Sequence, residues 1–321
     1  MRHEVRAGHI VLFALAAMFV VAGIVFFYSG DGKADSPEIS GIPVRAYFIA
    51  DAHVGHSDKG ARMSLFASLC NARQPDIVVD LGDTVQGRIT RFYEYPTDRE
   101  AALSQQKDWH RAWESIEVGI KEVALGNRDI DEKYPLTEND WISFLGYDER
   151  PYRGGTRLQS SVLVSSEDTE VLFFILATYS ENFDKKGTLE WIKREVSLFE
   201  GDFIVFCNHD EALYSDIRDI FVGSGHRSTW MFIHGHHHGP ATLVRDPWGT
   251  ETESSGFWGS IMGLLGISEG EPDFPKYLVT PLKRDGVAVK VKFYPGGIYE
   301  KFELNVYSGQ KYQPTIHYRI L

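Results

Sequence analysis

The sequence predicts an α/β fold in which apolar strands alternate with amphipathic helices. Three observations carry this. Short apolar runs recur along the chain, helically spaced segments separate them, and five of the runs end in residues that can bind a metal or donate a hydrogen bond.

Val44–Ala50 is the first strand, a short apolar run closed by Asp51. Ala61–Ala72 follows with helical spacing and places Leu65, Leu69 and Ala72 on one face. Asp76–Leu81 is the second strand and ends in Gly82 and Asp83, so the opening is a β-α-β unit with polar strand ends. Thr97–Ile116 is a helix rich in Glu, Gln, Lys and Trp, and Ile120–Leu125 after it is a strand ending in Gly126 and Asn127. Strands are expected near Ser161–Leu163 and Val171–Ala177, then a helix with Leu189, Ile192, Val196 and Phe199 on one face. Phe203–Cys207 is a buried strand ending at Asn208 and His209, and Trp230–Ile233 leads into His234–His238. Two alternating runs, Val287–Phe293 and Tyr299–Val306, flank Pro295-Gly296-Gly297 and read as a hairpin added to a sheet.

Ahead of this domain, Ile10–Tyr28 is a run of nineteen residues without a charge, long enough at about 1.5 Å per residue to nearly cross a hydrocarbon core of roughly 30 Å. It exceeds the ~7 to 15 apolar residues of a signal peptide, and no clean small-x-small site follows Tyr28, which favours an uncleaved anchor. Arg2 and Arg6 precede it, while Lys33 lies among Asp31, Asp35 and Glu38, so the amino terminus is expected in the cytoplasm and the remainder outside. Residues 1–43 are read as one single-pass anchor with a Gly/Ser/Pro-containing stalk, and residues 44–321 as one domain.

Composition bounds the function. The formal net charge of −12 excludes a general affinity for nucleic-acid duplexes. The two cysteines, Cys70 and Cys207, form no zinc-knuckle pair, so a metal would need other ligands, and Cys207 within its strand reads as an inert core thiol.

Each polar strand end is weak alone, but the order is specific. Asp51-Ala52-His53, Gly82-Asp83, Gly126-Asn127-Arg128-Asp129, Asn208-His209 and Gly235-His236-His237-His238 each follow an apolar run, and in α/β folds such ends converge on one crevice. Asp-x-His, Gly-Asp, Gly-Asn-x-Asp, His and Gly-His-x-His in this order resemble the calcineurin-like metallophosphoesterase superfamily over Val44–His238. The resemblance implies a four-layer αββα sandwich of two mixed sheets holding two divalent or trivalent ions, Mn, Fe or Zn. One ion would take Asp51, His53 and His238, the second Asn127, His209 and His236, with Asp83 bridging both. The residue types suit this: imidazoles and carboxylates favour those metals, and i, i+2 spacing in an extended segment puts Asp51 with His53, and His236 with His238, on one face. Two ions ~3.5 to 4 Å apart would acidify a bridging water and neutralise phosphate oxygens during in-line attack. Gly82, Gly126 and Gly235 each precede a ligand, where close backbone approach is needed.

One position departs from the family. Where a His usually follows the Asn of the third motif, this chain has Arg128, which stabilises phosphate charge but is a poor general acid. His56 is the candidate substitute acid, and Asp129 is expected to pair with or orient Arg128. His234 and His237 are left out of the ligand set. Trp109, Trp113, Phe92, Tyr93 and Tyr95 are either a substrate wall or ordinary packing. The sequence thus predicts a membrane-anchored dinuclear-metal hydrolase of phosphate mono- or diesters, with a catalytically weakened metal-binding scaffold as the alternative.

Overall fold

The computed structural model describes residues 40–55, 60–86, 99–130, 135–222, 227–236, 276–279, 282, 286–306 and 315–317. The expected membrane anchor lies outside the described residues, as do His56, His237, His238, Phe92, Tyr93 and Tyr95. Among the described residues no helix is long and apolar enough to cross a membrane.

Among the described residues, eleven strands form two sheets. In the first, β1 (Val44–Ile49), β2 (Ile77–Asp80) and β3 (Lys121–Val123) run parallel. The hairpin expected from the Pro-Gly-Gly turn adds β9 (Val287–Tyr294) antiparallel to β1 and β10 (Ile298–Asn305) antiparallel to β9, and β11 (Thr315–His317) pairs antiparallel with β10. The second sheet has β4 (Ser160–Ser165) antiparallel to β5 (Glu170–Ile175), followed in parallel by β6 (Phe203–Asn208), β7 (Thr229–His234) and β8 (Lys276–Leu278). Both sheets are therefore mixed, as expected.

Side-chain alternation sorts the core into three layers. Val44, Ala46 and Phe48 of β1 and Val289, Val291 and Phe293 of β9 meet Val171, Phe173, Phe203, Val205 and Met231 between the sheets. Aromatic edges lock this layer, with Phe203 and Phe293 centroids 4.9 Å apart. Tyr47, Ile49 and Val78 turn the other way, onto α1 (Ala61–Arg73) and α2 (Arg99–Glu114). Leu172, Phe174, Ile204, Phe206 and Phe232 point onto α5 (Lys185–Leu198) and α6 (Tyr214–Val222). With both faces covered, the parallel strands read as continuous apolar runs, and the layering is α, β, β, α.

Two details differ from the sequence reading. The buried face of α1 is Met63, Phe66, Ala67, Leu69 and Cys70, while Ala72 is exposed and Leu65 half-buried, because Phe66 and Met63 offer more area to bury against Tyr47 and Ile49 than Ala72 does. Trp109 and Trp113 are core residues and not a substrate wall. They stack at 5.3 Å, and the Trp109 indole donates to Asp80 Oδ2 at 2.9 Å. Helices α3 (Asn127–Ile130), α4 (Glu138–Leu145) and α6, and strands β8 and β11, had no expectation against them.

Candidate metal centre

The parallel strands of both sheets deliver Asp51, Asp83, Asn127, His209 and His236 to loops at their carboxyl ends. The β1 and β2 loops remain in register past the strands: Asp51 N donates to Gly82 O, His53 N to Asp83 O and Val54 N to Thr84 O, each at 2.9 Å. The sheets are joined here as well. His209 Nδ1 lies 2.8 Å from the Leu81 carbonyl, and His236 N donates to Asp51 Oδ2 at 3.1 Å.

Side-chain donors then converge in two groups that share one residue. Asp51, His53 and Asp83 form the first, and Asp83, His209 and His236 the second, with the potential ligand atoms of each within 4.8 Å of one another. His53 Nε2 lies 3.5 Å from Asp51 Oδ1 and 3.4 Å from Asp83 Oδ2, while His209 Nε2 lies 3.4 Å from Asp83 Oδ1 and 3.1 Å from His236 Nδ1. The two oxygens of Asp83 thus face opposite groups. Asp51, His53 and His209 are fully buried.

The donor chemistry fits a pair of cations. Buried carboxylates crowded among imidazoles need a counter-charge. The hydrogen bond at His209 Nδ1 fixes that nitrogen as the donor and leaves Nε2 as a lone-pair donor toward Asp83 and His236, an arrangement typical of metal-binding histidine. Asn127 Oδ1 is buried and accepts no hydrogen bond among the described residues, as a carbonyl oxygen reserved for a cation would be.

The backbone carries strain at the same place. Asp51, His53, Asp83 and His236 have φ of 52°, 42°, 52° and 70°, and Gln74 is the one other non-glycine with positive φ among the described residues. Left-handed backbone costs of order 1 kcal/mol or more per side-chain-bearing residue and persists where the surroundings enforce it. This corrects one expectation: Asp51 and His53 share a target through turned loops, not through the alternation of an extended segment.

Glycine permits the tight approach. Gly82 has φ +92°, and a Cβ there would lie 2.4 Å from Ala124 O; at Gly126 it would lie 2.5 Å from both Asp83 N and Asp83 Oδ1.

Asp129 does not pair with Arg128. Its carboxylate accepts from Thr84 N (3.0 Å), Thr84 Oγ1 (2.8 Å), Val85 N (3.2 Å) and Gly126 N (2.9 Å), tying the β2 loop to the β3 loop. Burial, helped by the charge of Asp83, pushes its carboxyl up to about 6. Arg128 turns to Asp83 instead: its backbone N donates to Asp83 Oδ1 at 2.8 Å, and its Nε lies 3.7 Å from Asp83 Oδ2. Four backbone and hydroxyl donors satisfy Asp129 better than one guanidinium could, and that frees Arg128 to face the charged cluster. Asp80, three residues before Asp83, is fully buried, and burial drives its carboxyl well above the ordinary range. It accepts from Gly82 N at 3.0 Å and from Trp109, and so supports the loop that carries Asp83.

His234 is buried at the end of β7, outside both groups. Tyr179, which the sequence reading passed over, stands beside the centre with its ring centroid 5.8 Å from that of His209 and 6.3 Å from that of His236. Its signal was its place: four residues beyond the end of β5, which lies in parallel beside the strand that leads into His209.

No family model matches the chain, and no curated protein matches it either. Solved structures do. The chain resembles a dimetal phosphatase from Danio rerio at a TM-score of 0.53 and 10% identity, covering 82% of this chain and 96% of that one. It resembles a purple acid phosphatase from yellow lupin (Lupinus luteus) seeds at a TM-score of 0.52 and 11% identity, covering 86% of this chain and 54% of that one. The chain shares the fold of these two structures, two mixed sheets flanked by helices.

Proposed function

We propose that the protein is a metal-dependent phosphoesterase that hydrolyses phosphomonoester or phosphodiester bonds and is held at a membrane by Ile10–Tyr28. The observation that carries this is the pair of ligand groups sharing Asp83. Asp51, His53 and Asp83, with His238, would hold one cation, and Asp83, Asn127, His209 and His236 the other. Mn, Fe or Zn bound there supplies Lewis acidity that activates water near neutral pH and neutralises phosphate charge.

The chain's own residues do the rest. Asp83 spaces the two halves, because each carboxylate oxygen faces a different imidazole. Arg128 is largely buried beside Asp83 and holds a permanent positive charge at the centre, where it binds and orients a phosphate. It donates hydrogen bonds but no proton, so the leaving group must depart unprotonated or take its proton from elsewhere, with His56 the candidate. Asp129 holds the two ligand loops together.

Phosphate esters of the p-nitrophenyl type test the reading with the full chain in detergent and added Mn2+ or Zn2+. Asp83→Asn should abolish turnover and lower the metal content; full activity in the variant would overturn the mechanism. Arg128 also favours a second reading, a metal-binding scaffold of the same fold: native protein that binds metal but turns over no ester in a broad panel would establish that one.

A further inference from the structure

We propose that Tyr179 is a positioning residue for one half of the centre: its ring holds the His209 and His236 imidazoles in ligating orientation and thereby sets the affinity of the cation they share. This rests on the proposed metal site and extends it to a residue that coordinates nothing.

The three rings form one cluster. His209 and His236 lie 5.0 Å apart at 76°, Tyr179 meets His209 edge-on at 65°, and it meets His236 at 40°. Each histidine needs two restraints, because an imidazole turns about two side-chain bonds. His209 has one in the bond from Nδ1 to the Leu81 carbonyl. His236 sits on left-handed backbone secured by Asp51, which restrains its main chain but not its ring. The Tyr179 ring supplies packing against both.

Tyr179 can do this because its own neighbours are anchored. Leu176 N donates to Cys207 O at 2.9 Å, keeping the end of β5 beside β6. The Thr178 hydroxyl lies 3.2 Å from Asn208 Oδ1 and 3.3 Å from Asp210 Oδ1, and Asn208 Nδ2 donates to Asp210 Oδ1 at 2.9 Å. On the other side, Ser180 N donates to Ala177 O at 3.1 Å, and the Ser180 hydroxyl donates to the buried Glu138 carboxylate. The residue between these two ties has little room to swing, so the loop after β5 acts as a bracket for the loops after β6 and β7. Both imidazoles the ring touches belong to the group of Asp83, His209 and His236; the fully buried Asp51 and His53 belong to the other. The effect should therefore be one-sided.

Zn2+ titration of the full chain by calorimetry, with thermal melting of each variant, tests this. Outer residues that orient metal ligands change affinity by about 10- to 100-fold. Tyr179→Ala should weaken one of two Zn2+ sites at least tenfold and leave the other unchanged, Tyr179→Leu should do the same while keeping side-chain bulk, and Tyr179→Phe should bind as the native protein does. Two native-like sites in both Tyr179→Ala and Tyr179→Leu would overturn the inference and leave the metal reading standing. Equal weakening of both sites in step with the melting temperature would overturn it in favour of packing alone. A Tyr179→Phe variant as weak as Tyr179→Ala would overturn it in favour of the hydroxyl. Native protein that binds no Zn2+ would overturn the metal reading itself, and this inference with it.

Discussion

Gly126→Ala puts the crossing of the two central ligand loops to a direct test. The added methyl would lie 2.5 Å from Asp83 N, 2.5 Å from Asp83 Oδ1 and 2.8 Å from the His209 ring, whereas carbon needs about 3.5 Å from such neighbours. The overlap is about 1 Å, and two of the three obstacles cannot rotate away: one is backbone and the other is a ring bonded to Leu81. Relief requires the β2 and β3 loops to separate, which stretches Thr84 N to Asp129 Oδ1 (3.0 Å) and Arg128 N to Asp83 Oδ1 (2.8 Å). Overpacking costs about 1–3 kcal/mol and each weakened hydrogen bond about 1 kcal/mol, so the expected loss is about 3–5 kcal/mol. At about 2–4 °C per kcal/mol for a domain near this size, the melting temperature should fall by roughly 6–20 °C. Asp83 would be displaced as well, so the metal-loaded protein should lose more than the metal-free one. Gly119→Ala is the control, since nothing lies within 4 Å of a Cβ there. Thermal and urea melts, with and without Zn2+, measure both. A Gly126→Ala protein that melts within about 2 °C of native and keeps its full metal content would refute the packing argument.

Three further outcomes are expected. Chelation should lower the melting temperature of the native chain, because ligands that bind only the folded state stabilise it, by about 2.7 kcal/mol at a hundredfold excess over Kd; calorimetry before and after chelator measures this, and Asp83→Asn should show little of it. Trp109→Phe removes the indole donor from the buried Asp80 carboxylate and should cost about 1.5–3 kcal/mol in urea unfolding. At the start of α4, burial acts to raise the Asp140 carboxyl, but hydrogen bonds from Arg99 (2.6 Å) and Thr137 prevail and hold it below its ordinary value. A depressed folded-state pKa gives stability that is present above the unfolded value of 3.8 and lost as pH falls through the folded one. Native protein should therefore lose its advantage over Asp140→Asn, about 1 kcal/mol for this capping box, in melts run from pH 5 down to pH 2.

What the sequence determined is whatever depends on near neighbours. The strands Val44–Ala50, Phe203–Cys207 and Trp230–Ile233 were legible because strands buried on both faces need unbroken apolar runs, and the polar residues that end them were legible because they interrupt those runs. The Pro295-Gly296-Gly297 turn fixed its hairpin for the same local reason. Tertiary structure decided what depends on distant partners. Asp129 bonds Thr84 and Val85 across some forty-five positions, and no spacing rule shows that these donors, and not the adjacent Arg128, would claim it. Trp109 sits in a segment polar enough to suggest an exposed helix, yet it is buried because Asp80, twenty-nine positions earlier, accepts from its indole. The left-handed backbone at Asp51, His53 and Asp83 belongs to residues with no intrinsic preference strong enough to impose it, so only the face-to-face packing of two sheets, whose strand ends meet at this crevice, holds it there.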